Sequence, residues 1–363
     1  MPTSDDSNAR APIFLICSER SGSNLISSML GEHPEIYAHP PYHLGRDLIM
    51  RLHEAAAGGI RSRPMQVLVR NAVNKVSRYR GEEEAARLQQ WFDAQPGVDP
   101  RAIARYIWQQ MPIEAHGTHA LVKENNVHQL LFFLVDCFPD AKFVFQVRDP
   151  RDYLLSCKLR KKRWLGNKFG SVRNALSVWR DDQLGGLLAY GLLGPERVFL
   201  QRYEDLVSRS EQTLARLCRF LGLEFDPRML EFHAGASAQN LAVKGGPREN
   251  LARPVMTENF RKYRKGLSRG QIRVVEAHVG DLMDRFGYPR EYTGLVRPGL
   301  FSVMKPQITE PFERFVNSEF RPQYKSGNSR LVKELDRNVE PLCEPLWQDD
   351  DDADAVEGSR AES

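Results

Sequence analysis

Short apolar runs that end in polar turns alternate with stretches of helical period along most of the chain. Ile13 to Cys17, Ile36 to Ala38, Ala120 to Lys123, Lys142 to Val147 and Val198 to Arg202 read as strands, because they are too short for helices and are bounded by turn residues. Between them the apolar spacing becomes that of helices: Asn24 to Gly31, Val127 to Phe138, the segment after Pro150, Ser171 to Tyr190, Leu206 to Leu221 and Gln271 to Phe286. From Leu44 to Met111 the pattern is helical and more polar, clearest over Glu82 to Phe92 and Ala102 to Gln110. Near-continuous apolar strands alternating with helices predict an α/β fold, a central parallel sheet flanked by helices on both faces. Such sheets hold ligands at the carboxyl ends of their strands.

The pattern changes after residue 296. Six prolines between Pro298 and Pro345 break any long element, so 297–348 reads as a C-terminal extension, able either to wrap the core or to support self-association. Residues 349–363 hold seven acids against Arg360, a net of −6; with +4 for the whole chain, the remainder carries +10. The tail reads as disordered and solvating, as do residues 1–10. A basic body of this kind suits an anionic ligand. Five scattered cysteines without a Cys-x-x-Cys pair read as reduced thiols. No apolar run is long enough to span a membrane, and Met1 to Asn8 lacks an apolar leader core, so the expected location is the cytoplasm.

Candidate chemistry gathers at strand ends. The run from Ile13 opens into Glu19-Arg-Ser-Gly-Ser-Asn24, a Ser/Gly-rich turn starting a helix, where bared N–H groups and the positive dipole end hold phosphate. A cation at a helix start opposes the dipole, and an anion between Arg20 and the helix removes that conflict. The turn lacks the Gly-Lys-Ser/Thr ending of a triphosphate loop. A second strand end, Val147-Arg-Asp-Pro-Arg-Asp-Tyr-Leu-Leu-Ser156, offers Arg148 and Ser156 for another phosphate, while Arg151 and Asp152 read as paired with each other or with neighbours. Two grips that avoid a triphosphate point to a nucleotide phosphorylated at two separate positions. No metal-ligand spacing is present, so no metal is expected.

These motifs, with Arg202-Tyr-Glu-Asp-Leu206 and Arg264-Lys-Gly266, resemble those of the sulfotransferase family across most of residues 11–290. The resemblance implies a sulfotransferase domain over 11–296, a P-loop-like nucleotide site, and a helical acceptor-side insertion at about 44–119. It implies 3'-phosphoadenosine-5'-phosphosulfate as donor. Arg20, Ser21, Gly22, Ser23 and Asn24 would hold the 5'-phosphosulfate, with Glu19 standing where the family usually has proline. Arg148 and Ser156 would hold the 3'-phosphate, Tyr203 would lie against adenine, and Arg264, Lys265 and Gly266 would close over the 3'-phosphate, where Lys262 is a further candidate. The basic run Lys158 to Arg163 reads as a rim over that phosphate; nucleic acid is not an expected partner. Met50, Tyr79, Trp91, Tyr106, Trp108 and Met111 read as helix core before acceptor contacts.

Sulfuryl transfer builds negative charge on the bridging and equatorial oxygens, which cations at that point stabilise. Arg20 is one such cation, and the resemblance makes Lys123 another. The acceptor proton needs a base. The chain has Asn125 and Pro41 where the better-known branches of the family place a histidine and a glutamate. The base is expected in the proline-stiffened His39-Pro-Pro-Tyr-His43 loop, at His39 or His43, because histidine titrates nearest neutral pH; Glu124 is the third candidate. The acceptor would be a hydroxyl or amine of a small molecule, lipid-like natural product or carbohydrate. Two other readings compete: a P-loop small-molecule kinase, and a nucleotide-binding scaffold of the same fold that has lost its base.

Overall fold

The computed structural model describes residues 11–39, 42–45, 47–48, 63–95, 100–111, 119–159, 171–235, 238–239, 242 and 249–292. Five parallel strands, β1 (Ile13–Cys17), β2 (Ile36–Ala38), β3 (His119–Val122), β4 (Lys142–Val147) and β5 (Val198–Arg202), stand in the order β2-β3-β1-β4-β5. β1 lies at the centre with Cys17 opposite Gln146 of β4, and β4 ends with Val147 opposite Arg202 of β5. The loops after β1, β4 and β5 therefore leave the same edge side by side.

Alternation along the strands divides the core. Phe14 and Ile16 of β1, with Phe143, Phe145 and Val147 of β4, face one hydrophobic cluster; Ile13, Leu15 and Val144 face the other. The first cluster is covered by α5 (Leu131–Cys137), α6 (Pro150–Leu159), α7 (Val172–Leu193) and α11 (Arg269–Arg285), the second by α1 (Ser23–Gly31) and α9 (Ser210–Leu221). This is the two-sided covering that apolar parallel strands require. The fold class expected from the alternation is the one found.

Local departures have identifiable causes. Between Tyr203 and Leu221 the chain forms two helices, α8 (Tyr203–Ser208) and α9, because Arg209 takes non-helical angles between them. The expected helix Val127 to Phe138 begins as a 3-10 turn at Val127–Leu130, entered through left-handed Asn126. The insertion contains α2 (Arg63–Arg80), α3 (Glu82–Asp93) and α4 (Pro100–Arg105), which continues into a π turn at Tyr106–Gln110. Trp108 and Tyr106 are buried, and Tyr106 stacks on Trp91 at 4.2 Å, the core role read for these aromatics; Tyr79 is exposed. Met50, the basic run beyond Leu159, and residues 297–363 lie outside the described residues. Among the described residues no helix is long and apolar enough to cross a membrane.

Candidate functional site

The loop after β1 turns twice through left-handed backbone, at Arg20 (φ 73°) and at Gly22 (φ 86°), which caps α1. Successive turns of this kind bare N–H groups as an anion cradle. A left-handed non-glycine residue costs about 1–2 kcal/mol, and Arg20 is braced at both ends. Its carbonyl accepts from Arg148 Nη1 at 2.9 Å, and its Nε donates to Ser156 Oγ at 3.2 Å. The loop floor is polar: Gln146 Nε2 donates to the Ser21 carbonyl (2.6 Å), Gln201 Nε2 to Gln146 Oε1 (2.8 Å), and Gln183 Nε2 to Ser18 Oγ (2.8 Å). These glutamines were not read as site residues. The available signal is Gln146 inside an otherwise apolar strand, since a buried amide must find partners.

The two motifs meet in one cleft of about 290 Å³, lined by Arg20, Gly22, Ser23 and Asn24 on one side and by Arg148, Ser156 and Tyr203 on the other. The Arg148 guanidinium stacks over the Tyr203 ring at 4.5 Å, and Asn259 Nδ2 donates to the Tyr203 hydroxyl at 2.6 Å. Gly22 is required here. A Cβ on it would stand 2.3 Å from Tyr203 Cδ2. Arg148 Nε and Ser21 Oγ are buried without hydrogen-bond partners. Buried donors of that kind fit an anionic guest.

A further stretch of the wall is Asn250, Leu251, Pro254, Val255, Met256, Asn259 and Lys262. It carries no periodic pattern and was not expected from the sequence, apart from Lys262. The residues of the late motif part from one another. Lys262 lines the cleft, whereas Arg264 pairs with Glu291 at 3.2 Å and Gly266 packs against Leu155. Lys265 is exposed and also lies off the cleft wall. The cause is α10 (Tyr263–Gly266), whose first amide donates to Asp152 Oδ1 at 2.8 Å and sets the short helix against α6. Arg151 is buried between Asp149 (2.7 Å) and Glu276 (2.9 Å), with its guanidinium over Tyr263. Asp152 thus serves Tyr263 rather than Arg151.

The base candidates separate. His39 is buried, edge-on to Tyr37 and Tyr42, and burial, then the Arg80 charge, lower its pKa to about 3. An imidazole so reluctant to accept a proton is a poor base near neutrality. His43 is left-handed (φ 54°), and its carbonyl accepts from Lys75 Nζ at 2.8 Å. Between them Pro40 and Pro41 lie outside the described residues. Glu124 follows Lys123 at the end of β3; burial raises its pKa to about 7, against the amides of Leu44 and Gly45 that lower it. Its Oε2 accepts from Gly45 N–H at 3.3 Å. Lys123 Nζ donates to Asn24 Oδ1 of the loop, which joins the β3 end to the phosphate cradle.

A model of the Sulfotransferase family matches residues 12–227, more than half of the chain. The chain belongs to the sulfotransferase family. Chicken protein-tyrosine sulfotransferase 2 is 26% identical over 284 residues, 76% of this sulfotransferase and 69% of the chicken protein. The Mycobacterium tuberculosis omega-hydroxy-beta-dihydromenaquinone-9 sulfotransferase Stf3 is 26% identical over 223 residues, 57% of this chain and half of that protein. The solved sulfotransferase domain of the Synechococcus PCC 7002 olefin synthase aligns with a TM-score of 0.52 at 23% identity, covering 76% of this chain and 96% of the domain. The corresponding domain of the curacin biosynthetic pathway gives 0.50 at 20% identity, with 76% and 99% coverage. These structures share the fold.

Proposed function

We propose that this sulfotransferase moves the sulfuryl group of 3'-phosphoadenosine-5'-phosphosulfate to a hydroxyl or amine of a small molecule, lipid-like natural product or carbohydrate, acting in the cytoplasm through a domain spanning residues 11–296. The carrying observation is that two phosphate grips, the Arg20–Asn24 cradle and the Arg148–Ser156 pair, open into the same cleft. The grips touch each other through Arg20 Nε on Ser156 Oγ and Arg148 Nη1 on the Arg20 carbonyl, and Tyr203 lines the same cleft, which suits one nucleoside carrying both phosphates. The relatives named above act, by their names, on tyrosine and on an omega-hydroxyl, which favours a hydroxyl acceptor.

In this reading the amides of Ser21 to Asn24 hold the 5'-phosphate, while Arg148, Ser156 and Lys262 hold the 3'-phosphate. The acceptor oxygen forms its bond to sulfur as the bond from sulfur to the bridging oxygen breaks, and the bisphosphate leaves with the electron pair. Arg20 and Lys123 stabilise the charge that develops there. The acceptor proton goes to a carboxylate, and Glu124 is the assigned base: its raised pKa matches the Brønsted requirement near neutral pH. Comparing Glu124→Gln, His43→Ala and His39→Ala in one acceptor assay, with donor binding followed separately, tests this. Loss of turnover confined to Glu124→Gln supports the assignment; full turnover in that variant removes it.

A further inference from the structure

Glu204 is 2% exposed and stands next to Tyr203, yet it is not among the cleft-lining residues. Its Oε1 accepts from the Asp149 amide at 3.0 Å, and its Oε2 accepts from the Tyr288 hydroxyl at 2.8 Å. The carbonyl of Arg148 accepts from the indole of buried Trp179 at 3.1 Å. The Arg148 carbonyl and the Asp149 amide are the two poles of one peptide group. That peptide is therefore gripped at both ends by buried side chains, just before Asp149 caps α6 by accepting from Arg151 N–H at 2.8 Å. A peptide so held cannot rotate, and its orientation fixes the direction in which Arg148 leaves the backbone. Tyr203 meanwhile supports the guanidinium from beneath. Adjacent residues thus hold the two ends of Arg148.

We infer that Glu204 is the positioning residue of the phosphate-binding arginine: it clamps the Arg148–Asp149 peptide and so aims Arg148 at the donor's second phosphate. The inference rests on the two-phosphate reading above. A carboxyl here carries a penalty, since burial, followed by the neighbouring Asp149, raises its pKa to about 7. The bonds to Asp149 N–H and Tyr288 offset that penalty, and without an acceptor the buried amide would be left unsatisfied.

The test is calorimetric titration of adenosine 3',5'-bisphosphate and of 5'-AMP into the parent, Glu204→Leu, Glu204→Gln and Tyr288→Phe, each checked for a folded circular-dichroism spectrum. Glu204→Leu should weaken the bisphosphate about tenfold and leave 5'-AMP within about twofold. Glu204→Gln, whose amide oxygen still accepts from Asp149 N–H, should restore most of that loss. In an Arg148→Ala background the Leu substitution should add little, because the arginine it aims is gone. Equal weakening of both nucleotides, or full additivity with Arg148→Ala, overturns the inference. Should Glu204→Leu fail to fold, Tyr288→Phe decides alone: a selective loss of about threefold in bisphosphate affinity supports the clamp, and no loss or an equal loss refutes it. A parent that binds the two nucleotides equally would instead remove the two-phosphate reading itself.

Discussion

Gly22 is where the cleft is least forgiving, and Gly22→Ala measures how tightly its halves fit. The substitution imposes two separable penalties. An L-residue at φ 86° and ψ 15° costs about 1–2 kcal/mol in backbone strain. The new Cβ would lie 2.3 Å from Tyr203 Cδ2, and overpacking of that order costs about 1–3 kcal/mol more. Gly222 supplies the control, having nearly the same backbone (φ 79°, ψ 29°) with nothing within 4 Å of an added Cβ. Gly222→Ala should therefore show the strain alone. Thermal unfolding should rank Gly22→Ala below Gly222→Ala, with the clash as the difference. Because Tyr203 is held by Asn259 and lies under Arg148, its displacement should also lower bisphosphate affinity by about tenfold or more in Gly22→Ala only. Equal melting temperatures and bisphosphate affinities in the two variants would refute the close fit of loop and Tyr203.

Arg20→Ala should lower turnover about 100-fold while weakening product nucleotide much less, since its charge is aimed at the group in flight; single-turnover kinetics with donor affinity measured alongside would check this. With Glu124 as base and its pKa raised to about 7, kcat at saturating donor should rise with pH up to about 7, and Glu124→Gln should flatten that limb. The same raised value makes ionised Glu124 a stability penalty that grows between pH 4.5 and about 7, so urea midpoints of the Gln variant should lose that part of the slope. Glu276→Leu leaves buried Arg151 with Asp149 alone and removes the acceptor of the Glu291 and Tyr292 amides. Chemical denaturation should show a loss of about 3–5 kcal/mol.

The strands and the donor grips were legible because both are local. Ile13–Cys17, Lys142–Val147 and Val198–Arg202 are apolar runs ended by polar turns, and their parallel register brings together three strand ends far apart in the chain. Residues 249–262 were mostly invisible for the opposite reason. That wall has little regular structure, and its shape comes from contacts such as Asn259 with Tyr203. Arg151 does pair with a neighbour, Asp149, as its sequence suggests, but its second partner, Glu276, is 125 residues away, which no local pattern specifies. Where Arg264 to Gly266 stand was not legible, because spacing could not show that the Tyr263 amide anchors on Asp152. The preference for a base in the His39–His43 loop ignored burial, which is unreadable from sequence and parts His39, lowered to about 3, from Glu124, raised to about 7.

The central claim is that one cleft holds a nucleotide by two separated phosphates. Calorimetric titration of the parent protein with adenosine 3',5'-bisphosphate, 5'-AMP and ATP, with and without magnesium, tests it most directly. The account predicts that the bisphosphate binds about 10- to 100-fold tighter than either of the others, as charge-assisted bonds to a second phosphate require, and that magnesium changes nothing. Tighter binding of ATP, strengthened by magnesium, or equal binding of 5'-AMP and the bisphosphate, would contradict it.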